Sequence, residues 1–295
     1  MLAYVTGASG FVGTWLVRHL EASGDDVVAA DLGVDVTDGD SIASSILVAA
    51  PEVVYHLAGF AHVGESWRSP ARAFTVNALG TLNVLQAAGR CQRPPRVLVV
   101  SSSEVYGRGS GEPIDESCEL RPITPYAASK VAAEYLALQA YLGEGLDVVR
   151  VRPFNHVGPG QSETFVVSAL AKRVADAERT GGAVAVGNLT PVRDFTDVRD
   201  VVRAYRMLAG SGEPGAVYNV ASGRGVSVQA IADHLVALAA TPVHLEQDPS
   251  LVRAVDIPVI VGDSTLLRRA TGWEPELDLA TTLADVLEHW RSRLA

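Results

Sequence analysis

The chain begins with an apolar run, a turn containing three glycines and a helix-like segment, and this order strongly restricts the fold. Leu2–Thr6 is mainly apolar, Gly7, Gly10 and Gly13 follow, and apolar residues then recur with helical spacing to Leu20. The first glycine permits a tight turn, the second lets the backbone approach a pyrophosphate, and the third allows close packing of helix on strand. The helix N-terminus offers free amides to phosphates. The segment therefore predicts the start of a dinucleotide-binding α/β sheet.

The next strand-like run ends at a carboxylate. Asp26–Ala30 is followed directly by Asp31. A carboxylate in this position accepts hydrogen bonds from a ribose 2′-hydroxyl and repels a 2′-phosphate, so Asp31 favours NAD(H), with NADP(H) as the alternative. Asp31 could otherwise be only a strand-end turn residue. Asp35 and Val36 close the following short run, and we expect them to flank the adenine ring.

Strand-like and helix-like segments alternate as far as residue 151. This alternation predicts an α/β fold with a Rossmann-type, doubly wound parallel sheet. Helices are predicted near residues 11–22, 41–49, 73–89, 125–142, 164–180, 226–239, 264–271 and 279–293. Residues 1–152 are expected to form the dinucleotide-binding Rossmann domain, with about 194–221 returning to it through a strand at Val217–Val220. Residues 153–295, which are richer in irregular loops, are expected to form a smaller C-terminal α/β domain that binds the substrate.

A tyrosine and a lysine share one face of the predicted helix that starts at Pro125. Tyr126 and Lys130 are separated by one helical turn. We expect the cation to lower the pKa of the tyrosine from about 10 toward working pH, which suits proton transfer to or from an alcohol/carbonyl pair. Three serines at 101–103 follow the apolar run 96–100. Since ligands of parallel sheets bind beyond the carboxyl ends of the strands, one of these hydroxyls is expected to bond the same oxygen.

Together these motifs resemble the extended short-chain dehydrogenase/reductases that act on nucleotide sugars, and the resemblance covers nearly the whole chain. It includes the segments 56–59 and 101–107 besides the glycine turn and the Tyr/Lys pair. Segments 152–161, 187–197 and 271–275 are most similar to GDP-6-deoxy-4-keto-D-mannose reductases and their GDP-mannose 4,6-dehydratase relatives. The resemblance implies an NAD(P)-dependent nucleotide-sugar oxidoreductase.

The same resemblance implies the residues of the site. The catalytic residues would be Ser102, Glu104, Tyr126 and Lys130. The cofactor would contact Gly7, Ser9, Gly10, Phe11, Val12, Gly13, Asp31, Asp35, Val36, Leu57, Ala58, Gly59, Asn77, Tyr126, Lys130 and Pro153. The substrate would contact His62, Glu65, Ser66, Ser103, Glu104, Asn155, Arg193, Arg253 and Asp256. Arg193 and Arg253 are the expected phosphate ligands, because a guanidinium pairs with phosphate through two hydrogen bonds.

Reduction of the C4 ketone of a nucleotide-activated 4-keto-6-deoxyhexose is the expected reaction. Tyr126 would protonate the developing alkoxide, Ser102 would hydrogen-bond it, and Lys130 would hold the nicotinamide ribose. A 4,6-dehydratase with tightly bound NAD stays open, because Glu104 occupies the position of the base that removes the C5 proton in those enzymes. A C4 epimerase also stays open, because it uses the same three residues. A dinucleotide-sensing protein is a remote alternative, since such proteins commonly lack the Tyr/Lys pair.

The resemblance and the residues disagree on the cofactor. The related reductases generally prefer NADPH, whereas the carboxylate of Asp31 favours NADH through its repulsion of a 2′-phosphate. We side with Asp31.

Composition and charge exclude several other classes of protein. The net charge of −10 argues against non-specific binding to nucleic acid. Cys91 and Cys118 are too few for a disulfide framework, so a reducing cytoplasm is expected. No signal peptide is expected, because the first predicted strand begins at residue 2. No apolar run approaches the roughly 18 residues of a membrane span, so no membrane partner is expected. No metal site is expected either.

The helix after Tyr126 is apolar over most of its circumference, which indicates burial on more than one side. Members of the family dimerise by packing this helix and the one after Asn77 against their copies. We therefore expect a homodimer, with burial inside the monomer as the alternative.

Overall fold

Strands and helices alternate through the first half of the chain and are more irregular in the second. The structure is a computed structural model that describes residues 1–30, 33–108, 113–251 and 257–295. The strands are β1 (Leu2–Thr6), β2 (Asp26–Ala30), β3 (Val53–His56), β4 (Arg96–Val100), β5 (Val148–Pro153), β6 (Asn155–Val157), β7 (Val184–Val186), β8 (Val192–Asp197), β9 (Val217–Val220), β10 (Gly225–Ser227), β11 (Leu245–Gln247) and β12 (Val259–Ile260).

The helices fall close to most of the predicted positions. The α-helices are α1 (Phe11–Ala22), α2 (Gly39–Ala49), α3 (Val63–Ser66), α4 (Pro70–Phe74), α5 (Gly80–Gly89), α6 (Pro125–Glu144), α7 (Val166–Thr180), α8 (Val198–Ser211), α9 (Val228–Ala237), α10 (Thr265–Thr271) and α11 (Leu279–Leu294). A π-helical turn, Thr75–Leu79, joins α4 to α5, and 3₁₀ turns occupy Ser103–Tyr106 and Pro249–Leu251. The sequence pattern did not predict α8, and it merged α4, the π turn and α5 into one helix.

The main sheet has six parallel strands in the order β2-β1-β3-β4-β5-β9. The chain leaves β1 for β2 on one side and then crosses to form β3 on the other side, so the strand order reverses between β1 and β3. Ligands of doubly wound sheets bind beyond the carboxyl ends of the strands at such a reversal. The Rossmann-type sheet predicted from the sequence is confirmed, and Val217–Val220 joins it as its edge strand β9.

Both faces of the main sheet are covered, which explains why its strands lack polar alternation. Ala3 and Val5 of β1 pack in one core with residues of α1 and α8. Tyr4 points to the opposite face and packs in a second core with residues of α2 and α5. Alternate residues of a strand face opposite sides, so the two cores follow directly from the period of the strand.

The second half of the chain forms a core of its own. Helices α7, α9 and α11 bury their apolar faces together with Val184 and Val186 of β7. Strand β8 lies between β10 and β12, and β6 also pairs with β8. Helix α8 follows β8 directly and packs back against α1. We refer to the main sheet with its helices as the cofactor lobe, and to the rest as the C-terminal lobe. In the described part of the chain, none of the helices is long and apolar enough to cross a membrane.

Candidate active site

The glycine turn after β1 brings the N-terminus of α1 to the reversal point of the sheet. Gly7 has φ of +69°, and a Cβ at Gly13 would lie 2.1 Å from the Gly7 carbonyl oxygen. Gly10 donates its N–H to the same carbonyl over 3.0 Å and is the N-cap of α1, where it has no side chain to cap the first amides. The amides and the positive end of the helix dipole therefore remain available to an anion. This cradle fits the pyrophosphate of a dinucleotide.

A chain of hydrogen bonds holds the loop that follows β3. Thr81 Oγ1 donates to the Asn77 carbonyl over 2.5 Å, so His56 donates to Thr81 through Nε2, at 3.0 Å. His56 Nδ1 then accepts from Thr6 Oγ1 at 2.9 Å, and Thr6 accepts from the Ala58 N–H at 3.1 Å. Burial lowers the pKa of His56 to about 3, so the imidazole is neutral, as this assignment of donors requires. The network fixes the backbone at 57–59.

Asn77 holds the same loop from its other side. Its Oδ1 accepts from the Phe60 N–H at 2.8 Å, and its Nδ2 donates to the Phe60 carbonyl at 3.2 Å and to Ser129 Oγ at 2.8 Å. Asn77 thereby ties the loop to α6. Its buried amide holds the loop through these protein groups, and direct contact of Asn77 with the cofactor stays a prediction.

The residues expected to be catalytic line one cleft of about 240 Å³ at the carboxyl end of the main sheet. Tyr126 and Lys130 reach it from the inner face of α6, and Ser102 and Glu104 reach it from the turn after β4. Other predicted site residues that line this cleft are Val12, Leu57, Gly59, Ser103, Pro153 and Asn155. Cofactor-lobe and C-terminal-lobe residues therefore share one cavity.

The electrostatics of the Tyr/Lys pair differ from the sequence-based expectation. Burial raises the pKa of Tyr126 to about 12, the charge of Glu104 acts in the same direction, and a hydrogen bond with Ser102 opposes both. The expected lowering by Lys130 is absent. Lys130 donates to the Val100 carbonyl at 2.9 Å, and burial lowers the pKa of its own ammonium to about 8. The phenol is therefore in its protonated, acid form at neutral pH.

A buried ion pair between Glu134 and Arg152 lies next to the catalytic side chains. Glu134, one turn after Lys130 on α6, accepts from Ser101 Oγ at 2.5 Å and from Arg152 Nη2 at 2.7 Å. Arg152 donates to Tyr106 Oη at 2.9 Å, and Tyr106 donates to Asn219 Oδ1 at 2.7 Å. The network ties α6 to the ends of β4, β5 and β9. The charge of Glu134 also opposes the effect of burial on the pKa of Lys130.

Some predicted substrate residues lie near the cleft without being catalytic. His62 stacks on Phe165 with ring centroids 5.9 Å apart, and Phe165 lines the cleft. Arg193 lies two residues before Phe195 on β8, so both side chains leave the same face of the strand, and Phe195 lines the cleft. Arg193 Nη1 donates to the Val192 carbonyl at 2.9 Å.

Two predicted substrate residues do not line the cleft. Ser66 is fully buried, and its hydroxyl donates to the Val63 carbonyl at 2.6 Å, so it stabilises α3 and does not line the cleft. Glu65 lies off the cleft wall and faces Arg72, with 3.6 Å between the charged groups. Both residues belong to the short helix α3, and their contact with the substrate stays a prediction.

The remaining predicted cofactor residues surround the turn and the loop after β2. Ser9 and Phe11 lie within and just after the glycine turn. Asp35 accepts from the Thr37 amide and hydroxyl, both at 2.8 Å, and Val36 is buried. Asp31, Arg253 and Asp256 lie outside the described residues.

Several residues that line the cleft were missed in the sequence. His156 stacks on Phe11 with centroids 6.0 Å apart and so connects the two lobes beside Asn155. Gln161 and Phe165 also line the cleft. The sequence could have indicated them, because Gln161 is a polar residue in the Gly-rich segment 152–161 and Phe165 is an aromatic residue just after it. Tyr205 lines the cleft from α8 and could not be assigned without that helix. Within the described ranges, no group of three or more His, Cys, Asp and Glu side chains could hold a metal ion.

The parallel sheet, the glycine turn and the Ser102, Tyr126 and Lys130 cluster define a nicotinamide-dependent short-chain dehydrogenase/reductase of the extended type. The model of the GDP-mannose 4,6 dehydratase family matches residues 32–286, and the chain belongs to this family.

Individual relatives match over almost the whole length. The chain is 38% identical to the GDP-6-deoxy-D-mannose reductase of Pseudomonas aeruginosa, over 99% of this chain and 97% of that protein. It is similar to the structure of RMD from Pseudomonas aeruginosa complexed with NADPH, with a TM-score of 0.92, 38% identity and 99% of each chain covered. It is also similar to the Thermus thermophilus UDP-glucose 4-epimerase in complex with NAD, with a TM-score of 0.88, 28% identity and 99% of each chain covered. These matches confirm the predicted family, the fold and a nicotinamide dinucleotide as cofactor.

Proposed function

We propose that the protein reduces the C4 ketone of a nucleotide-activated 4-keto-6-deoxyhexose. The observation that carries this proposal is the meeting of Ser102, Tyr126 and Lys130 in one cleft of a chain that is similar along its whole length to a GDP-6-deoxy-D-mannose reductase. When bound, the reduced nicotinamide dinucleotide supplies the hydride that C4 receives.

The residues of the cleft supply the proton and the orientation. The raised pKa of Tyr126, about 12, keeps the phenol protonated, which is the state needed to protonate an alkoxide at C4. Ser102 is placed to stabilise the same oxygen, since it already hydrogen-bonds Tyr126. The ammonium of Lys130 has three donors, and the Val100 carbonyl takes one of them, so the others can hold the nicotinamide ribose.

A 4,6-dehydratase is the second candidate, and Glu104 is the observation that favours it. Glu104 lines the cleft and lies close enough to Tyr126 for its charge to affect the phenol. Removal of the C5 proton in a dehydratase needs such a base in every turnover. The family whose model matches the chain is also named for this reaction.

One assay separates the two reactions. The purified protein is incubated with reduced nicotinamide dinucleotide and GDP-4-keto-6-deoxymannose, and in parallel with GDP-mannose and catalytic NAD. A reductase oxidises the cofactor in proportion to the ketone consumed, whereas a dehydratase regenerates its cofactor and shows no net oxidation. Conversion of GDP-mannose to its 4-keto-6-deoxy product would overturn the proposal.

Glu104→Gln gives an independent test in the same assay. The substitution keeps the shape of the side chain and removes its basicity. Ketone reduction should fall by about tenfold or less, because Tyr126 already provides the proton. Dehydration should be nearly abolished.

We further propose NADH as the preferred cofactor, on the basis of Asp31. The two solved relatives were determined with NADPH and with NAD, so the fold accepts both. Asp31→Ala should raise the use of NADPH relative to NADH, because the substitution removes a negative charge near the position of a 2′-phosphate. The ratio of kcat/KM for the two cofactors measures the change. An unchanged ratio would mean that Asp31 does not face the ribose.

We also propose a homodimer formed through α6 and α5, the helix that follows Asn77. Large apolar side chains are exposed on α6 and on the short helices and the turn that pack against it, which is unusual for a surface that meets only water. They are Trp67, Phe74, Leu79, Tyr135 and Leu142.

The division of labour between the lobes follows the same proposal. Residues 1–152, together with about 194–221, would bind the dinucleotide, and residues 153–295 would bind the sugar nucleotide. The cytoplasm remains the predicted location, based on the two free cysteines, Cys91 and Cys118.

A further inference from the structure

Tyr205 contributes a fully buried side chain to the lining of the cleft. The side chain extends from α8, is fully buried, and lines the cleft together with Val12, Leu57 and Val100. Among the residues that the structure describes, none forms a hydrogen bond with Tyr205 Oη. Buried tyrosine hydroxyls usually have a partner, because an unpaired polar group in an apolar environment lowers stability.

Tyr55 provides an internal comparison. It belongs to the same core as Tyr205, is also fully buried, and also has no hydroxyl partner within the described ranges. The charged groups that act on Tyr55 are Asp25 and Arg206, and Asp25 directly precedes β2 at the amino ends of the strands. Tyr55 therefore faces away from the cleft.

The side chain of Tyr205, unlike that of Tyr55, lines the cleft. Burial is the main cause that raises the pKa of Tyr205, and the second cause is the negative charge that Tyr126 carries when it is deprotonated. Tyr126 lines the cleft, and so do three residues that pack in the same core as Tyr205. Those three residues, Val12, Leu57 and Val100, are apolar, so their side chains offer the hydroxyl no partner.

We propose that Tyr205 is a cofactor-binding residue whose hydroxyl hydrogen-bonds a polar group of the nicotinamide half of the dinucleotide. This inference rests on the cofactor use in the proposed function. Val12 lies in the first turn of α1, where the pyrophosphate is expected, and Tyr126 must lie beside the carbon that exchanges hydride. Tyr205 lines the same cleft as both residues and is close enough to Tyr126 for electrostatic interaction, which favours the nicotinamide half over the adenine half.

The test compares Tyr205→Phe with Tyr55→Phe, which removes the same atom from the same core outside the cleft. Dissociation constants of NADH and NADPH are measured by fluorescence titration, and that of ADP by calorimetry, because ADP carries the adenine half alone. Melting temperature without ligand reports the structural effect. Tyr205→Phe should weaken dinucleotide binding about three- to tenfold, as expected for one neutral hydrogen bond, and leave ADP binding unchanged. Tyr55→Phe should leave all three affinities unchanged.

The melting temperature distinguishes a binding role of the hydroxyl from a structural one. Both substitutions remove an unpaired buried hydroxyl, so neither should lower the melting temperature of the unliganded protein. Loss of affinity in Tyr205→Phe without loss of stability supports a binding role. Wild-type affinity in Tyr205→Phe, an equal loss in Tyr55→Phe, or an equal loss for ADP would overturn it. If the wild-type protein binds neither dinucleotide, the proposed function fails first and this inference falls with it.

Discussion

At the scale of single residues, the reaction depends on a phenol that is buried and protonated. The phenol of Tyr126 has a pKa of about 12 and hydrogen-bonds Ser102. Tyr126→Phe should lower turnover by at least about a hundredfold, because general acids typically contribute 10²- to 10⁴-fold, and should leave cofactor affinity nearly unchanged. Steady-state kinetics and cofactor titration measure both effects. Tyr135→Phe, on the exposed side of the same helix, is the matched control. Near-normal turnover in Tyr126→Phe would contradict the central assignment.

Lys130 sets the expected pH dependence. Burial lowers the pKa of its ammonium to about 8, so the fraction that carries the charge falls as the pH rises through that value. Since the proposed hold on the nicotinamide ribose needs the ammonium, kcat/KM should decline above about pH 8. The phenol of Tyr126 stays protonated over this range and does not contribute. The residual activity of Tyr126→Phe should keep the same alkaline decline. If kcat/KM stays constant up to pH 10, the reaction does not require the charged form of Lys130.

The sequence located these side chains better than it described their chemistry. The spacing of Tyr126 and Lys130 put both on one helix face, and strand order put Ser102 beyond β4. The sign of the tyrosine shift was wrong, because depth of burial is a tertiary property that spacing does not contain. The hydrogen bond of the Ser66 hydroxyl to the Val63 carbonyl of its own helix is likewise a feature of the folded chain that residue spacing does not reveal.

At the scale of elements, the glycine turn makes the most specific demand on the backbone. A Cβ at Gly13 would lie 2.1 Å from the Gly7 oxygen and 2.8 Å from Ala8 Cα, contacts that require the turn to open. Gly13→Ala should abolish measurable cofactor binding and lower the melting temperature by several degrees. Gly89→Ala is the control, because a Cβ there meets open space at an ordinary φ. Intact cofactor binding in Gly13→Ala would show that the pyrophosphate lies elsewhere.

Helix α8 could have been predicted from the sequence, although the pattern analysis did not identify it. Apolar residues at 198, 201, 202, 205 and 208 follow helical spacing, and Asp197 caps the first turn through the Arg199 amide at 2.8 Å. The helix was therefore predictable, although the irregular segments around it hid the period. The buried pair of Glu134 and Arg152 was not predictable in the same way. It joins α6 to β5, and only the packing of those elements brings the two charges together.

At the scale of the whole molecule, the two lobes contribute different parts of one cleft. The cofactor lobe supplies the glycine turn and the catalytic side chains, and the C-terminal lobe supplies Asn155, His156 and Phe165. The fold of the first lobe followed from alternating strands and helices. The position of the second lobe did not, because contacts such as the stacking of His156 on Phe11 join residues far apart in the chain.

The exposed face of α6 leads to the last prediction, which concerns assembly. Leu142 is 71% exposed and Tyr135 is 59% exposed on a helix whose inner side carries the catalytic pair. If two copies pack through this face, Leu142→Glu buries an unpaired carboxylate and should convert the dimer to a monomer. Leu266→Glu is the control, because Leu266 is an exposed leucine on α10, a helix that packs in the core on the opposite face of the main sheet. Sedimentation velocity at micromolar concentration distinguishes the species. A wild-type monomer, or a Leu142→Glu dimer, would exclude α6 as the interface.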